Sequence, residues 1–232
     1  MISKLKKKIP ELKKEDEKLI NITKKFSMTP RIRMWCLIRS IEYLIKNKIK
    51  GDLVECGVWK GGNLILMQKI LNRFKNQKTK IFGYDTFTGL PRPKSFDKPY
   101  HGKFKTLSRW KKRKKENYVN WCYSGIDIVK KNILKNLGPK NNIKLIEGKV
   151  EQTLLQKSNL PKKIALLRLD TDWYESTKIE LEILYPLLSK GGILIIDDYG
   201  HWLGSRKATD EYFKDQDALM HRIDYSCRLI VK

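Results

Sequence analysis

Leu53-Val54-Glu55-Cys56-Gly57-Val58-Trp59-Lys60-Gly61-Gly62-Asn63 decides the fold. A short apolar run carrying an acid breaks at a glycine-rich turn, and Asn63 stands where a helix N-cap is expected, ahead of a helix over residues 64–74. Downstream the same alternation repeats. Residues 80–85 read as a strand ending in Asp85, 126–137 as helix, 143–146 as strand and 151–157 as a short helix. Residues 164–170 are a strongly apolar strand, and 176–188 a helix stopped by Gly191-Gly192. Residues 193–198 form another buried strand, 205–213 a helix, and 222–231 a terminal strand pair. Upstream, Met34, Ile38, Ile41, Leu44 and Ile45 recur at helical spacing after a polar amphipathic segment that ends at Pro30. Strands alternating with helices predict one doubly wound α/β domain with a mostly parallel sheet. The stretch over 88–121, with Pro91, Pro93 and Pro99, is too long and polar for an ordinary connector and reads as a lid or a disordered loop.

Composition narrows the class. With 41% hydrophobic residues and six Trp in 232 positions, the chain can build a core and is not disordered. No apolar run approaches the roughly 20 residues of a membrane span. The N-terminus lacks the apolar centre of a secretory signal. Cys36, Cys56, Cys122 and Cys227 are scattered without a Cys-x-x-Cys pair, which suits reduced thiols in a cytoplasmic protein.

Fifty Lys and Arg stand against 25 Asp and Glu, a net charge of +25. The excess concentrates in residues 1–25, 102–116 and 127–163, and includes the run Lys111-Lys112-Arg113-Lys114-Lys115. Such charge attracts polyanions and is compatible with peripheral contact at an anionic membrane surface. A genome-wide preference for Lys would produce the same excess, however. No helix-turn-helix, RNA-recognition or zinc-finger spacing accompanies it, so no specific nucleic-acid partner is expected.

Ligands of such sheets bind beyond the carboxyl ends of the strands. The glycine turn after Glu55 lets a ligand approach bare backbone, and Asp85 either accepts hydrogen bonds from ribose hydroxyls or caps its own loop. The densest chemistry follows the next two strands. Asp170, Asp172 and Glu175 gather after one, and Asp197, Asp198 and His201 after the other. If these strands are neighbours, Asp170, Asp197 and Asp198 face one point, where crowded like charges require a cation or protons. An all-oxygen set of this kind suits Mg²⁺. Helix capping by Asp172 is the plainer alternative for one of these acids, but it leaves the others unexplained.

Four stretches in order resemble the macrocin O-methyltransferase (TylF/MycF) family. They are residues 51–62, Tyr84-Asp85-Thr86-Phe87-Thr88-Gly89-Leu90-Pro91, Arg168-Leu169-Asp170-Thr171-Asp172-Trp173-Tyr174-Glu175-Ser176-Thr177, and Leu194-Ile195-Ile196-Asp197-Asp198-Tyr199-Gly200-His201-Trp202. The tail Arg222-Ile223-Asp224-Tyr225 fits as well. The resemblance implies a Rossmann-like class I methyltransferase domain over 28–232, with an antiparallel C-terminal strand, a basic N-terminal helical extension over 1–27 and a lid-like insertion at 91–123. It implies S-adenosylmethionine and Mg²⁺ as cofactors, a sugar hydroxyl as acceptor, and a homo-oligomer. Carried over, Glu55, Gly57, Gly61, Gly62 and Asn63 would hold the methionine end of the cofactor, and Asp85 its ribose. Gly148 and Val150 would border its adenine. Asp170, Asp197 and Asp198 would bind the metal.

Asp172 is the expected general base, with His201 second because its ordinary pKa near 6.5 suits proton transfer. Trp173, Tyr174, Tyr199 and Trp202 either stack on a sugar or pack around the strand ends. The Lys/Arg run departs from the family pattern and suggests an anionic acceptor. Two alternatives remain: a basic RNA- or polyanion-binding protein on a Rossmann-like scaffold, and a metal-dependent hydrolase.

Overall fold

A computed structural model describes residues 9–102 and 105–232. The first eight residues of the expected N-terminal extension, and Lys103 of the basic insertion, lie outside the described residues. The helices are α1 (Lys14–Thr23), α2 (Arg31–Lys46), α3 (Gly62–Arg73), α4 (Thr106–Arg113), α5 (Ile126–Leu137), α6 (Val150–Thr153), α7 (Tyr174–Leu184) and α8 (Leu203–Phe213). The strands are β1 (Asp52–Cys56), β2 (Ile81–Asp85), β3 (Ile143–Glu147), β4 (Ile164–Leu169), β5 (Leu188–Ile196), β6 (His221–Arg222) and β7 (Arg228–Val231). They form one sheet in the order β3-β2-β1-β4-β5-β7-β6. The first five run parallel, whereas β7 is antiparallel to both β5 and β6.

The period-2 alternation of each strand divides its side chains between two cores. Leu53, Ile81, Leu166, Ile193 and Ile195 pack under α1, α2, α3 and α5 with Ile20, Ile38, Leu64 and Val129. Val54, Phe82, Leu167, Leu194 and Ile196 pack on the other face with Leu181, Leu184 and Phe213. The order reverses between β1 and β4, the switch point where open α/β sheets bind ligands.

Two local expectations are corrected. Asn63 is not the N-cap: Gly61, at φ +86°, occupies that position, α3 begins at Gly62, and the Asn63 side chain turns inward. Gly191-Gly192 does not separate helix from strand. The helix ends at Leu184, and β5 begins at Leu188 and runs through the glycine pair, near a register shift against β4. The described residues of the insertion include α4 and lie over the sheet end. Leu90, Val119, Trp121, Trp173 and Trp202 form a third apolar cluster beneath it. Backbone bonds from Val119 to Thr88 (2.7 Å), Tyr100 to His201 (2.7 Å) and Leu203 to Lys98 (2.9 Å) strap it to the sheet end.

Candidate active site

β4 and β5 are neighbours, with Leu169 opposite Ile196. The Asp197 N–H donates to the Leu169 carbonyl (2.9 Å) and the Asp170 N–H to the Cys56 carbonyl (2.8 Å). The tips of β1, β4 and β5 are thereby brought together. One carboxylate oxygen from each of Asp170, Asp197 and Asp198 lies within 4.8 Å of the others. A cavity of about 630 Å³ opens over them, walled by the β1 turn, Asp85, the insertion residues Leu90, Pro91, Arg109 and Trp121, and the turns after β4 and β5.

Asp172 also lines this cavity, in a left-handed conformation (φ +67°) that costs an aspartate on the order of 1 kcal/mol. It does not cap α7, whose N-cap is Trp173. Its N–H donates to Asp198 Oδ2 (3.1 Å). Burial and the adjacent Asp170 charge raise the Asp172 carboxyl well above the usual range. Burial, followed by the charges of Asp172 and Asp170, does the same to Asp198. Burial holds Asp170 at about 6, even with Arg168 pulling it down. His201 lines the cavity too. Its Nδ1 meets the Tyr225 hydroxyl at 2.7 Å, and burial, Arg33 and His101 lower its pKa.

Two arginines that sequence reasoning gave no role organise the cluster. Arg168, only 1% exposed in the middle of an apolar strand, donates to Glu55 Oε1 (2.7 Å), Asp170 Oδ2 (2.8 Å), Thr29 Oγ1 (3.1 Å) and Asp197. Arg33 donates to Asp224 Oδ2 (2.7 Å) and to the other Asp197 oxygen. One charged residue inside the run Ile164–Leu169 was the available signal, because a buried guanidinium demands carboxylates around it.

The remaining expected residues divide into two groups. Gly57, Asp85 and Val150 reach the cavity wall, whereas Glu55, Gly61, Gly62, Asn63 and Gly148 stand behind it. Asp85 accepts hydrogen bonds from the Val58 (2.7 Å), Trp59 (3.0 Å) and Phe87 (2.8 Å) N–H groups, so it braces the glycine turn, and burial raises its pKa. Glu55 accepts from Asn63 Nδ2 (2.9 Å) and Arg168, while its Oε2 is buried without a partner. Burial pushes the Glu55 carboxyl up to about 7 despite Arg168. Gly57, at φ +90°, is required by a close approach, since a Cβ there would stand 1.9 Å from the Asp170 carbonyl oxygen. Gly148 donates its N–H to the Asp85 carbonyl (3.0 Å). Among the aromatics, Trp202 lines the cavity and packs edge-on against Trp173. Tyr174 and Tyr199 instead bond Glu211 and Asp210 away from it.

Residues 14–231 match the family described as macrocin-O-methyltransferase (TylF). The chain belongs to this family. The match takes in α1, and so begins inside the stretch expected to be an extension. Among related TylF-like proteins, the chain is 31% identical over 179 residues to a demethyldecarbamoylnovobiocin O-methyltransferase of Streptomyces niveus, covering 74% of this chain and 62% of that one. It is 31% identical over 160 residues to an 8-demethyl-8-(2,3-dimethoxy-alpha-L-rhamnosyl)-tetracenomycin-C 4'-O-methyltransferase of Streptomyces olivaceus, covering 68% and 57%. The chain thus spans about three fifths of the length of these curated relatives. The solved structure of the O-methyltransferase NovP superposes with a TM-score of 0.77 at 28% identity, over 89% of this chain and 82% of that one. The fold is the Rossmann-like class I arrangement with antiparallel C-terminal strands.

The donor set fits a hard divalent cation. All donors are oxygens, and the surrounding carboxylates Glu55, Asp170, Asp172, Asp197, Asp198 and Asp224 outnumber the guanidiniums Arg33 and Arg168. Asp197 already accepts from both arginines, but each carboxylate oxygen has a second lone pair to offer. No helix among the described residues is long and apolar enough to cross a membrane.

Proposed function

We propose that this chain is an S-adenosylmethionine- and Mg²⁺-dependent O-methyltransferase acting on a hydroxyl of a sugar-containing acceptor. The observation that carries this reading is the convergence of Asp170, Asp197 and Asp198 at one end of a cavity whose other wall is the β1 glycine turn. The named activities of the relatives support sugar methylation as the chemistry.

S-adenosylmethionine would supply the methyl group. Gly57 and the Asp85-braced turn would receive it, with Val150 at its far end. The unpartnered Glu55 Oε2 lies behind that turn and can accept from a cationic amine that reaches it. Magnesium, held by Asp170, Asp197 and Asp198, would polarise an acceptor hydroxyl. Asp172 would take the hydroxyl proton: it lines the cavity beside Asp198, and a cation bound among the acids would favour its ionised form. His201, neutral and oriented by Tyr225, is the second candidate for that proton. Leu90, Trp121 and Trp202 line the cavity and would exclude water from the reacting atoms once substrates fill it. Alignment of the bound reactants can contribute on the order of 7–11 kcal/mol to the rate.

Calorimetry with S-adenosylmethionine, followed by mass spectrometry of sugar acceptors for added methyl groups, tests the reading. Binding of the cofactor and loss of methyl transfer in EDTA are expected. Absence of cofactor binding removes the transferase, and equal transfer with and without EDTA removes the metal.

A further inference from the structure

We infer that the outer side of α4, with the turn that follows it, docks this protein on an anionic lipid bilayer; such docking does not depend on the transferase reading above. Residues 105–116 carry seven Lys and Arg against one acid, Glu116. The helix dipole favours Lys111, Lys112 and Arg113, which stand in the last turn of α4. It does not account for the rest. Lys105 stands at the N-cap, where a cation opposes the dipole, and no acid occupies the first turn. Lys114 and Lys115 prolong the run past the helix end. The protein does not neutralise this charge. Among the described residues, Lys105, Lys111, Lys112, Lys114 and Lys115 have no carboxylate in ion-pair contact, while Lys94 of the same insertion pairs with Glu175 at 2.9 Å.

α4 has two sides. On the inner one Thr106 is buried, Arg109 lines the cavity, and the Trp110 Nε1–H donates to the Leu90 carbonyl (2.9 Å), which fixes the helix against the sheet end. Leu107, Ser108, Lys111 and Lys112 are exposed on the outer one, joined by Lys115. A leucine 38% accessible among lysines suits a helix lying on a charged lipid interface: headgroup phosphates take the ammonium groups, and the leucine enters the acyl boundary. Clusters of roughly four to eight cations on such a segment mark recognition of anionic lipid. A nucleic acid is the poorer fit, because single strands stack on free aromatic faces. The rings here are engaged: Trp110 meets Lys114 at 5.7 Å, Tyr118 stacks on Tyr123 with ring centres 4.3 Å apart, and Trp121 packs on Trp173. Because the inner side of α4 walls the cavity, a bilayer on its outer side would stand one helix diameter, about 10 Å, from that space.

Co-sedimentation of the full chain with vesicles provides the test, using phosphatidylglycerol and phosphatidylcholine in equal parts against phosphatidylcholine alone. Binding to the mixed vesicles only is expected, and it should weaken as salt rises. Each lysine at such a surface is worth about fivefold in affinity, so Lys111→Gln/Lys112→Gln/Lys115→Gln should lower it about a hundredfold. Leu107→Gln should lower it severalfold, and equally at high salt, because that contribution is apolar. The matched control, Lys131→Gln/Lys135→Gln/Lys140→Gln, removes the same charge from α5 and the loop after it and should cost far less. All of these side chains are exposed or partly exposed, so the fold is kept. Equal losses in the two triple variants overturn the inference and leave only attraction by net charge. So does equal binding to phosphatidylcholine alone, or no binding to either vesicle. Binding to poly(U) RNA that is tighter than to the mixed vesicles, and lost in the α4 triple variant, would overturn it in favour of a nucleic acid.

Discussion

Asp197 is held between two guanidiniums, Arg168 on one carboxylate oxygen and Arg33 on the other. Asp224 fixes Arg33 in turn, so the Asp197 carboxylate cannot swing away from Asp170 and Asp198. Removing it as Asp197→Ala leaves two buried cations short of a partner, at a cost of about 3–5 kcal/mol. Urea denaturation should show that loss, together with the loss of turnover. Asp197→Asn keeps the shape and should lose turnover with a smaller loss of stability and nearly unchanged cofactor affinity. Normal turnover in Asp197→Asn would exclude the residue from the chemistry.

Arg168 supports the site from beneath. Arg168→Met removes the shared partner of Glu55, Asp170 and Asp197 and should cost at least about 3 kcal/mol in urea. Arg168→Lys retains the charge without the fork and should fall between the two. Unchanged stability in Arg168→Met would show that the acids are compensated by something other than this guanidinium.

The carboxylate cluster sets a pH dependence. Burial holds Asp170 at about 6, above its unfolded value, and raises Asp172 and Asp198 further. A group whose folded pKa is raised stabilises the fold fully below its unfolded pKa, near 3.9 for Asp, and that contribution is lost as pH rises through the folded value. Without a divalent ion, the melting temperature should therefore fall from weakly acidic toward neutral pH. Magnesium should restore it at neutral pH and do little in acid, where protons occupy the same oxygens. Thermal melts with and without magnesium across this range would show the crossing, and parallel curves would sink it.

Gly57→Ala should be among the most damaging single methyl additions. The new atom would overlap the Asp170 carbonyl in a backbone conformation that alanine disfavours, and a loss of about 3 kcal/mol or more is expected. Gly125→Ala is the matched control. Its φ is −60° and its nearest neighbour, the Tyr123 hydroxyl, can move, so stability should change by less than about 0.5 kcal/mol. Chemical denaturation of both variants decides the comparison.

The alternation of apolar runs with helical segments was enough to read the sheet, and pairing β4 with β5 turned three separated aspartates into one site. Other parts were less legible because they depend on partners distant in sequence. Asn63 sits where a cap belongs, yet Glu55 and Thr29 offer its amide better hydrogen bonds inside. Gly191-Gly192 reads as a stop, but the strand accepts it where the β4–β5 register shifts. The insertion looks polar throughout. Three of its scattered apolar residues, Leu90, Val119 and Trp121, meet Trp173 and Trp202 only once the chain has closed over the sheet end.

The short peptide between α1 and α2 touches both halves of the centre. The Thr29 hydroxyl accepts from Asn63 (3.0 Å) and from Arg168 (3.1 Å), and Gly62 packs directly on Phe26 and Ser27. That strip works as a keystone, so a trimmed version beginning at the second helix would lose a wedge from under its own reaction chamber. Anyone shortening this protein for expression should cut ahead of α1 and leave that strip whole.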